Sequence, residues 1–205
     1  MLPAFVDTPG GGKIGLSPFP KIHEFQDFRI WRATALVTLL EPQEMAFLGV
    51  KDLGRQAESA GLVWHHLPVG DMGVPGATFE ERWAKSGPVL RKSLRGGGRL
   101  VVHCRAGLGR TGMIGARLLV ELGVAPDAAI AAVRKARPGA IETAEQEEHV
   151  RACQAEGIMG HVIDAGDAGS AGKCMQCLQV GSRDIVTLNN QVCHAAALAG
   201  AGASS

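Results

Sequence analysis

Leu100-Val101-Val102-His103-Cys104-Arg105-Ala106-Gly107-Leu108-Gly109-Arg110-Thr111-Gly112 is the stretch on which the fold turns. Its apolar start, Leu100 to Val102, predicts a buried strand, and the segment that follows it, Met113 to Leu122, predicts an amphipathic helix. A cysteine is thereby set at the end of a strand, on a glycine-bearing loop that opens into a helix. Such a loop turns successive backbone N–H groups inward at a helix N-terminus, which makes a ready anion site. A thiol placed there has its thiolate stabilised and becomes a nucleophile near neutral pH. Arg110, six positions after Cys104, can close the ring with a planar two-pronged donor suited to phosphate oxygens. The N–H groups of Arg105, Ala106, Gly107, Leu108, Gly109 and Arg110 supply the rest of the cradle, with the Arg105 side chain expected to point outward. Nucleophile, cradle and clamp converge on a phosphoryl group.

Working outward, the rest of the chain predicts an α/β layer architecture, because strands alternate with helices. Ala35 to Leu40 reads as a short buried strand broken by Glu41-Pro42, and Met45 to Ala60 as mostly helical. Leu62 to Val69 reads as a second strand that ends in the loop Gly70 to Gly76. Ala77 to Leu94 is a helix with Phe79, Trp83, Val89 and Leu90 as core positions and Pro88 as an interruption or boundary. Pro126 to Arg137 places Ala129, Ile130 and Val133 inward, and Thr143 to Gln154 is a last helix with Thr143 and Gln146 spaced as a capping box. Residues 1–21 read as a flexible lead-in, 22–157 as the catalytic domain, and 158–205 as a poorly ordered tail rich in Gly, Ala and Ser.

Composition narrows the class. The chain has 205 residues, of which 46% are apolar, enough for a real core. A net charge of +1 gives no bulk attraction to nucleic acid or to an acidic membrane surface, and no basic-aromatic patch stands out. Neither a secretory signal nor a run of about twenty apolar residues is visible, so no membrane span is expected. Five cysteines, one of them on a phosphate loop, fit a reducing, cytoplasmic setting better than a disulfide scaffold. Cys174, Cys177, Cys193 and His194 are too poorly spaced and supported to make a zinc site, so no metal and no cofactor is expected.

The run His103 to Gly112 resembles the signature loop of the cysteine-dependent protein tyrosine and dual-specificity phosphatases, and most of all the loops of Cdc14-like and kinase-associated phosphatases. Asp71-Met72-Gly73-Val74-Pro75 resembles their mobile acid loop, and Arg137-Pro138-Gly139-Ala140-Ile141-Glu142-Thr143-Ala144-Glu145-Gln146 resembles the segment that flanks their active site. The resemblance runs from about Ile22 to Glu156. It implies a protein tyrosine phosphatase-like fold with a central, mostly parallel sheet flanked by helices on both faces. Two departures stand out: Met72 occupies a place where many relatives have glycine, and the chain contains no tyrosine. It therefore lacks the tyrosine with which phosphotyrosine-restricted members sandwich the substrate ring.

The resemblance assigns roles. Cys104 is the nucleophile that would form a phosphocysteine, Arg110 the transition-state clamp and Asp71 the general acid, on a lid-like loop. Thr111 is read either as a hydrogen-bond donor to the cysteine sulfur or as a helix-start residue bonded to backbone. His103 is expected to orient the loop and favour the thiolate. Gln146 is read either as a residue that positions the attacking water or as the helix cap. His65 and His66 lie in the strand ahead of the acid loop, and alternation should send one of them into the core. The expected function is hydrolysis of phosphotyrosine, with phosphoserine and phosphothreonine as further substrates, on phosphorylated proteins. A phosphoinositide or small phosphate-ester phosphatase ranks lower, because Ala106 to Gly109 are neutral where lipid-directed relatives carry basic residues. A sulfur-transfer or arsenate-reducing enzyme also uses a cysteine on an anion-binding loop, but such a reductase would need a resolving cysteine nearby and would not be expected to carry an acid-loop aspartate; a phosphate-binding pseudophosphatase would not need thiolate and acid together.

Overall fold

The computed structural model describes residues 3–21, 23–155, 187–188 and 191–192. Strands β1 (Ala4–Asp7), β2 (Lys13–Ser17), β3 (Ala35–Thr38), β4 (Val63–His66) and β5 (Arg99–His103) form a five-stranded sheet in the order β1-β2-β5-β3-β4. Only the β1–β2 pair is antiparallel; β2, β5, β3 and β4 run parallel to their neighbours. The expected mostly parallel sheet is present, and β5, which leads into the loop of Cys104, occupies its centre. The register sets Ser17, His103 and Thr38 side by side at the C-terminal edge, the edge where open parallel sheets place their sites.

Residues 4–17 are not a lead-in: they supply two of the sheet's strands. Their pattern is hard to read, because Gly15 interrupts the apolar run of β2. A Cβ there would come within 2.8 Å of Pro3 Cγ and 3.1 Å of the Trp31 ring, so the gap in the pattern is filled by tertiary packing. The tail of 158–205 falls outside the described residues, as do Cys174, Cys177, Cys193 and His194. The exceptions are Thr187–Leu188 and Gln191–Val192, which pair as a short antiparallel ladder.

Alternation along β5 feeds two cores. Leu100, Val102 and Cys104 join one cluster, and Val101 joins the other. On the Val101 side pack helices α1 (Glu24–Ile30), α2 (Pro42–Phe47) and α3 (Leu53–Ser59), through Phe25, Phe28, Met45, Leu53 and Ala57. On the other side pack α4 (Ala77–Arg95), α5 (Gly109–Glu121), α6 (Pro126–Ala136) and α7 (Ala144–Ala152). The helix expected over residues 45–60 is thus two helices, separated by a turn with Gly49 at positive φ.

Helices α4 and α5 depart from expectation in instructive ways. Pro88 does not end α4; Phe79 and Trp83 before it, and Leu90 and Leu94 after it, are all buried, and that packing carries the helix across the missing hydrogen bond. Val89, expected in the core, is 56% exposed. Helix α5 is not amphipathic in place: all thirteen of its residues are buried. Its charges are paired rather than solvated. Arg117 forks onto Glu80 at 2.5 and 2.8 Å and reaches Glu121 at 2.8 Å, while Trp83 Nε1 and Arg91 also donate to Glu121. Fully paired charges are the condition under which a polar stretch can sit inside a core. The helix that opens at the phosphate loop is therefore held rigidly from every side.

Candidate active site

Cys104 follows β5 directly and is 3% exposed. The loop after it is shaped by what holds its carbonyls. Phe19 N–H donates to Arg105 O at 3.0 Å, Arg137 Nη2 donates to Ala106 O at 2.8 Å, and Arg137 Nε donates to Gly107 O. In a trans peptide the C=O and the next N–H point in opposite directions. Drawing these three carbonyls outward therefore turns the N–H groups of Ala106, Gly107 and Leu108 inward. One outcome is visible: Gly107 N–H donates to Cys104 Sγ at 3.2 Å. Gly107 can be nothing but glycine. Its φ is +72°, and a Cβ would lie 2.3 Å from Pro18 N and 2.4 Å from the Ser17 carbonyl.

Gly109 departs from the expected cradle. Its N–H already donates to the Glu142 carboxylate at 2.8 Å, so at the start of α5 a side-chain anion occupies the donor. Arg105 and Ala106 are exposed at the loop tip. Thr111 makes neither of its two expected bonds: its hydroxyl is buried with no partner on sulfur or backbone, and the sulfur's donor is the Gly107 amide.

Arg110 is 2% exposed and lies at the meeting point of three segments. Nη1 donates to Glu44 Oε2 at 2.7 Å and to Val69 O at 3.0 Å; Nη2 donates to Glu44 Oε1 at 3.0 Å and pairs with Asp71 Oδ1 at 2.8 Å. The fork on Glu44 fixes the plane of the guanidinium. Burial works against the Arg110 charge, but the hydrogen bond to Glu44 and the charges of Cys104, Glu44 and Asp71 outweigh it and push its pKa up. For Glu44 burial likewise opposes ionisation; the bonds from Arg110 and from Glu41 N–H, with the Arg110 and Arg105 charges, bring its pKa below the ordinary carboxylate value. Glu44 itself is placed by helix-start chemistry. Pro42 opens α2 and Glu44, at its third position, accepts Glu41 N–H at 2.8 Å. Sequence reading passed over Glu44; the one signal for it was an acid two residues after a proline, just past a strand.

His103 is fully buried, and desolvation lowers its pKa to about 4, so the ring is neutral. Its Nδ1 lies 3.2 Å from Cys104 O, which can only accept, so Nδ1 carries the proton. Nε2 is then an acceptor for Thr38 Oγ1 at 2.8 Å, and Thr38 in turn accepts Trp64 Nε1–H at 2.9 Å. The chain Trp64, Thr38, His103, Cys104 O has a single direction. His103 holds the backbone of Cys104 and brings no charge to it.

Asp71 stands on the loop after β4, 63% exposed, with Met72 at φ +57° beside it. Gln146 is buried and ties this loop to the flanking segment: its Nε2 donates to Gly73 O at 3.2 Å, and its Oε1 accepts Glu142 N–H at 3.0 Å. Thr143 caps α7 by accepting Gln146 N–H at 3.2 Å, so one half of the expected capping box exists and the reciprocal bond is replaced by the bridge. His65 and His66 are both half-buried, rather than one in and one out. Among the described residues no group of three or more His, Cys, Asp or Glu is arranged to hold a metal ion, and no helix is long and apolar enough to cross a membrane.

A cysteine cupped by amides at the end of a central parallel strand, with a buried arginine facing it, belongs to the cysteine-dependent tyrosine and dual-specificity phosphatases, which are hydrolases. Residues 19–124, just over half the chain, match the family described as Tc-R-P, polymorphic toxin system, DSP-PTPase phosphatase, and the chain belongs to that family. Kinase associated phosphatase, solved with its catalytic cysteine replaced by serine, shares the fold at a TM-score of 0.62 and 20% identity, over 73% of this chain and 91% of that one. Tk-PTP in its active form is 28% identical at a TM-score of 0.57, over 74% of this chain and 96% of its own. Tyrosine-protein phosphatase CDC14 of Candida albicans is 47% identical over 51 residues, which is 24% of this chain but only 9% of that protein. The chain thus matches a small part of that curated relative's length.

Proposed function

We propose that this chain hydrolyses phosphotyrosine, together with phosphoserine and phosphothreonine, on phosphorylated proteins through a phosphocysteine intermediate. The observation that carries the reading is the convergence on Arg110: Glu44 fixes the guanidinium while Asp71 reaches its far nitrogen at 2.8 Å, beside the loop that cups Cys104. In this mechanism the phosphoryl oxygens replace Asp71 on Arg110 and take the inward N–H groups of the loop. The Cys104 thiolate attacks phosphorus, the S–P bond forms, and the P–O bond to the leaving group breaks. Asp71 gives its proton to the departing oxygen. Water then attacks the phosphocysteine, Asp71 takes a proton from it, and the S–P bond breaks to return thiolate and release inorganic phosphate. The unpaired hydroxyl of Thr111 is an unused donor at the start of the same helix, available as the sulfur departs. Gln146 holds the acid loop by its grip on Gly73, and the water that attacks the intermediate enters beside it. In the setting that the family description names, a polymorphic toxin system, this hydrolysis would be the toxic activity.

The test is turnover of p-nitrophenyl phosphate in EDTA. Cys104→Ser should abolish it, and Asp71→Ala should lower kcat by about 10²- to 10⁴-fold, the usual contribution of a positioned acid. Retained phosphate binding with no turnover by the wild-type protein would refute the catalytic reading.

A further inference from the structure

Helix α5 carries two buried arginines seven positions apart, Arg110 and Arg117. Seven residues are two helical turns, so both stand on one side of the helix, about 10 Å apart along its axis. Arg110 pairs with Asp71, near the start of the loop that follows β4. Arg117 forks onto Glu80, with Nη1 2.5 Å from Oε1 and Nη2 2.8 Å from Oε2. Glu80 N–H donates to Gly76 O at 3.0 Å, so this carboxylate belongs to the turn that directly follows the acid loop. One helix therefore grips the acid loop on both sides. The two grips differ in kind: the Asp71 pair has to open when a phosphate arrives, whereas no step of the hydrolysis disturbs the Glu80 pair.

Arg117 is joined to the start of α4 by more than charge. Its guanidinium lies over the buried rings of Phe79, at 5.6 Å, and Trp83, at 4.7 Å. Its Nε donates to Glu121 Oε1 at 2.8 Å, which sets the plane of the fork that meets Glu80. Two residues after Glu80, Arg82 Nη1 donates to His66 O at 3.1 Å, at the end of β4. Both roots of the acid loop are thus tied, the strand that enters it by Arg82 and the helix that leaves it by Glu80. Packed helices can shear past one another by small steps, and a two-pronged bond adds the direction that apolar packing lacks.

We propose that Arg117 and Glu80 are a positioning pair for the general acid: their fork fixes the start of α4, and through it the place that Asp71 takes once phosphate has claimed Arg110. This rests on the phosphatase reading above. Neither residue acts on the substrate directly. Their contribution falls on the step in which Asp71 protonates the leaving oxygen, where a displacement of about 1 Å can cost on the order of 100-fold in rate. Binding of the phosphoryl group belongs to Arg110 and the loop amides and does not depend on the pair.

The experiment compares two esters, p-nitrophenyl phosphate and phenyl phosphate; the second has the more basic leaving group and leans harder on the acid. Glu80→Ala should lower kcat/KM about tenfold on phenyl phosphate and no more than about threefold on p-nitrophenyl phosphate, with inhibition by inorganic phosphate unchanged. Glu80→Gln, which keeps an acceptor for Arg117, should fall between wild type and Glu80→Ala. With Asp71→Ala already in place, Glu80→Ala should cost nothing further, because the acid it positions is gone. Equal losses on both esters, a further loss in the Asp71→Ala background, or no loss at all would overturn the inference. A wild-type protein that hydrolyses neither ester would instead defeat the phosphatase reading.

Discussion

The geometry of the site depends on residues that stand behind Cys104 and Arg110. Glu44 spans Arg110 with both oxygens, and without it a buried guanidinium would keep only Val69 O and an exposed aspartate. Glu44→Ala should lower kcat/KM on p-nitrophenyl phosphate by about 10- to 100-fold and stability by about 3 kcal/mol, with Glu44→Gln recovering part of both, as read by steady-state kinetics and thermal unfolding. Cys104 and Arg110 were legible in the sequence because one loop carries both at a diagnostic spacing. Glu44, Arg137 and Glu142 were not, because their partners lie far along the chain: Arg110 is 66 positions from Glu44, Ala106 is 31 from Arg137 and Gly109 is 33 from Glu142. Arg137 stood inside a recognised motif, yet nothing in that motif says that it grips loop carbonyls.

Among elements, the end of β2 fits most closely against the phosphate loop. Phe19 N–H holds Arg105 O, and Gly107 lies so near Ser17 and Pro18 that no side chain fits between them. Gly107→Ala should leave circular dichroism close to wild type while lowering kcat/KM at least about 100-fold. The positive φ costs about 1–2 kcal/mol and the contact forces the loop away from the sulfur. A wild-type rate in this variant would mean that the loop tolerates displacement. The same fit explains why the lead-in reading failed. A five-residue strand with glycine at its middle has too few apolar positions to announce itself, and its partner β5 lies more than eighty residues away. Helix α5 misled in the opposite direction. Its arginines and Glu121 suggested a wet face, but Glu80 on α4 closes over it with an opposing charge.

At the scale of the molecule, the histidines that burial strips of water, one buried and three half-buried, shape the response to acid among the described residues. Desolvation lowers His103 from 6.5 to about 4, and burial lowers His65, His66 and His149 as well. The unfolded chain therefore binds more protons than the folded one between pH 6.5 and about 4, so stability present above pH 6.5 is lost as pH falls through that window. His103 alone should contribute on the order of 3 kcal/mol to the loss. Glu44 and Glu80, both held below the ordinary value of 4.5, extend the decline further into acid. Urea unfolding at a series of pH values should show a plateau above pH 7 and a fall between pH 6.5 and 4; a flat profile there would contradict the neutral, buried His103. At this scale the sequence was most informative. Alternating strands and helices and one strand-loop-helix signature were enough for the class of fold, because layer architectures admit few arrangements of such elements.

The link between Asp71 and Arg110 gives the site a resident rival. On the proposed mechanism an incoming anion has to displace the Asp71 carboxyl that already holds the far nitrogen of Arg110. A phosphate monoester, with nearly two charges and three free oxygens, wins that contest; a phosphodiester, with one charge and two, gains little by the exchange. On the proposed mechanism, the residue that finishes the reaction also screens what begins it, turning away ligands by valence before any side chain has examined their shape.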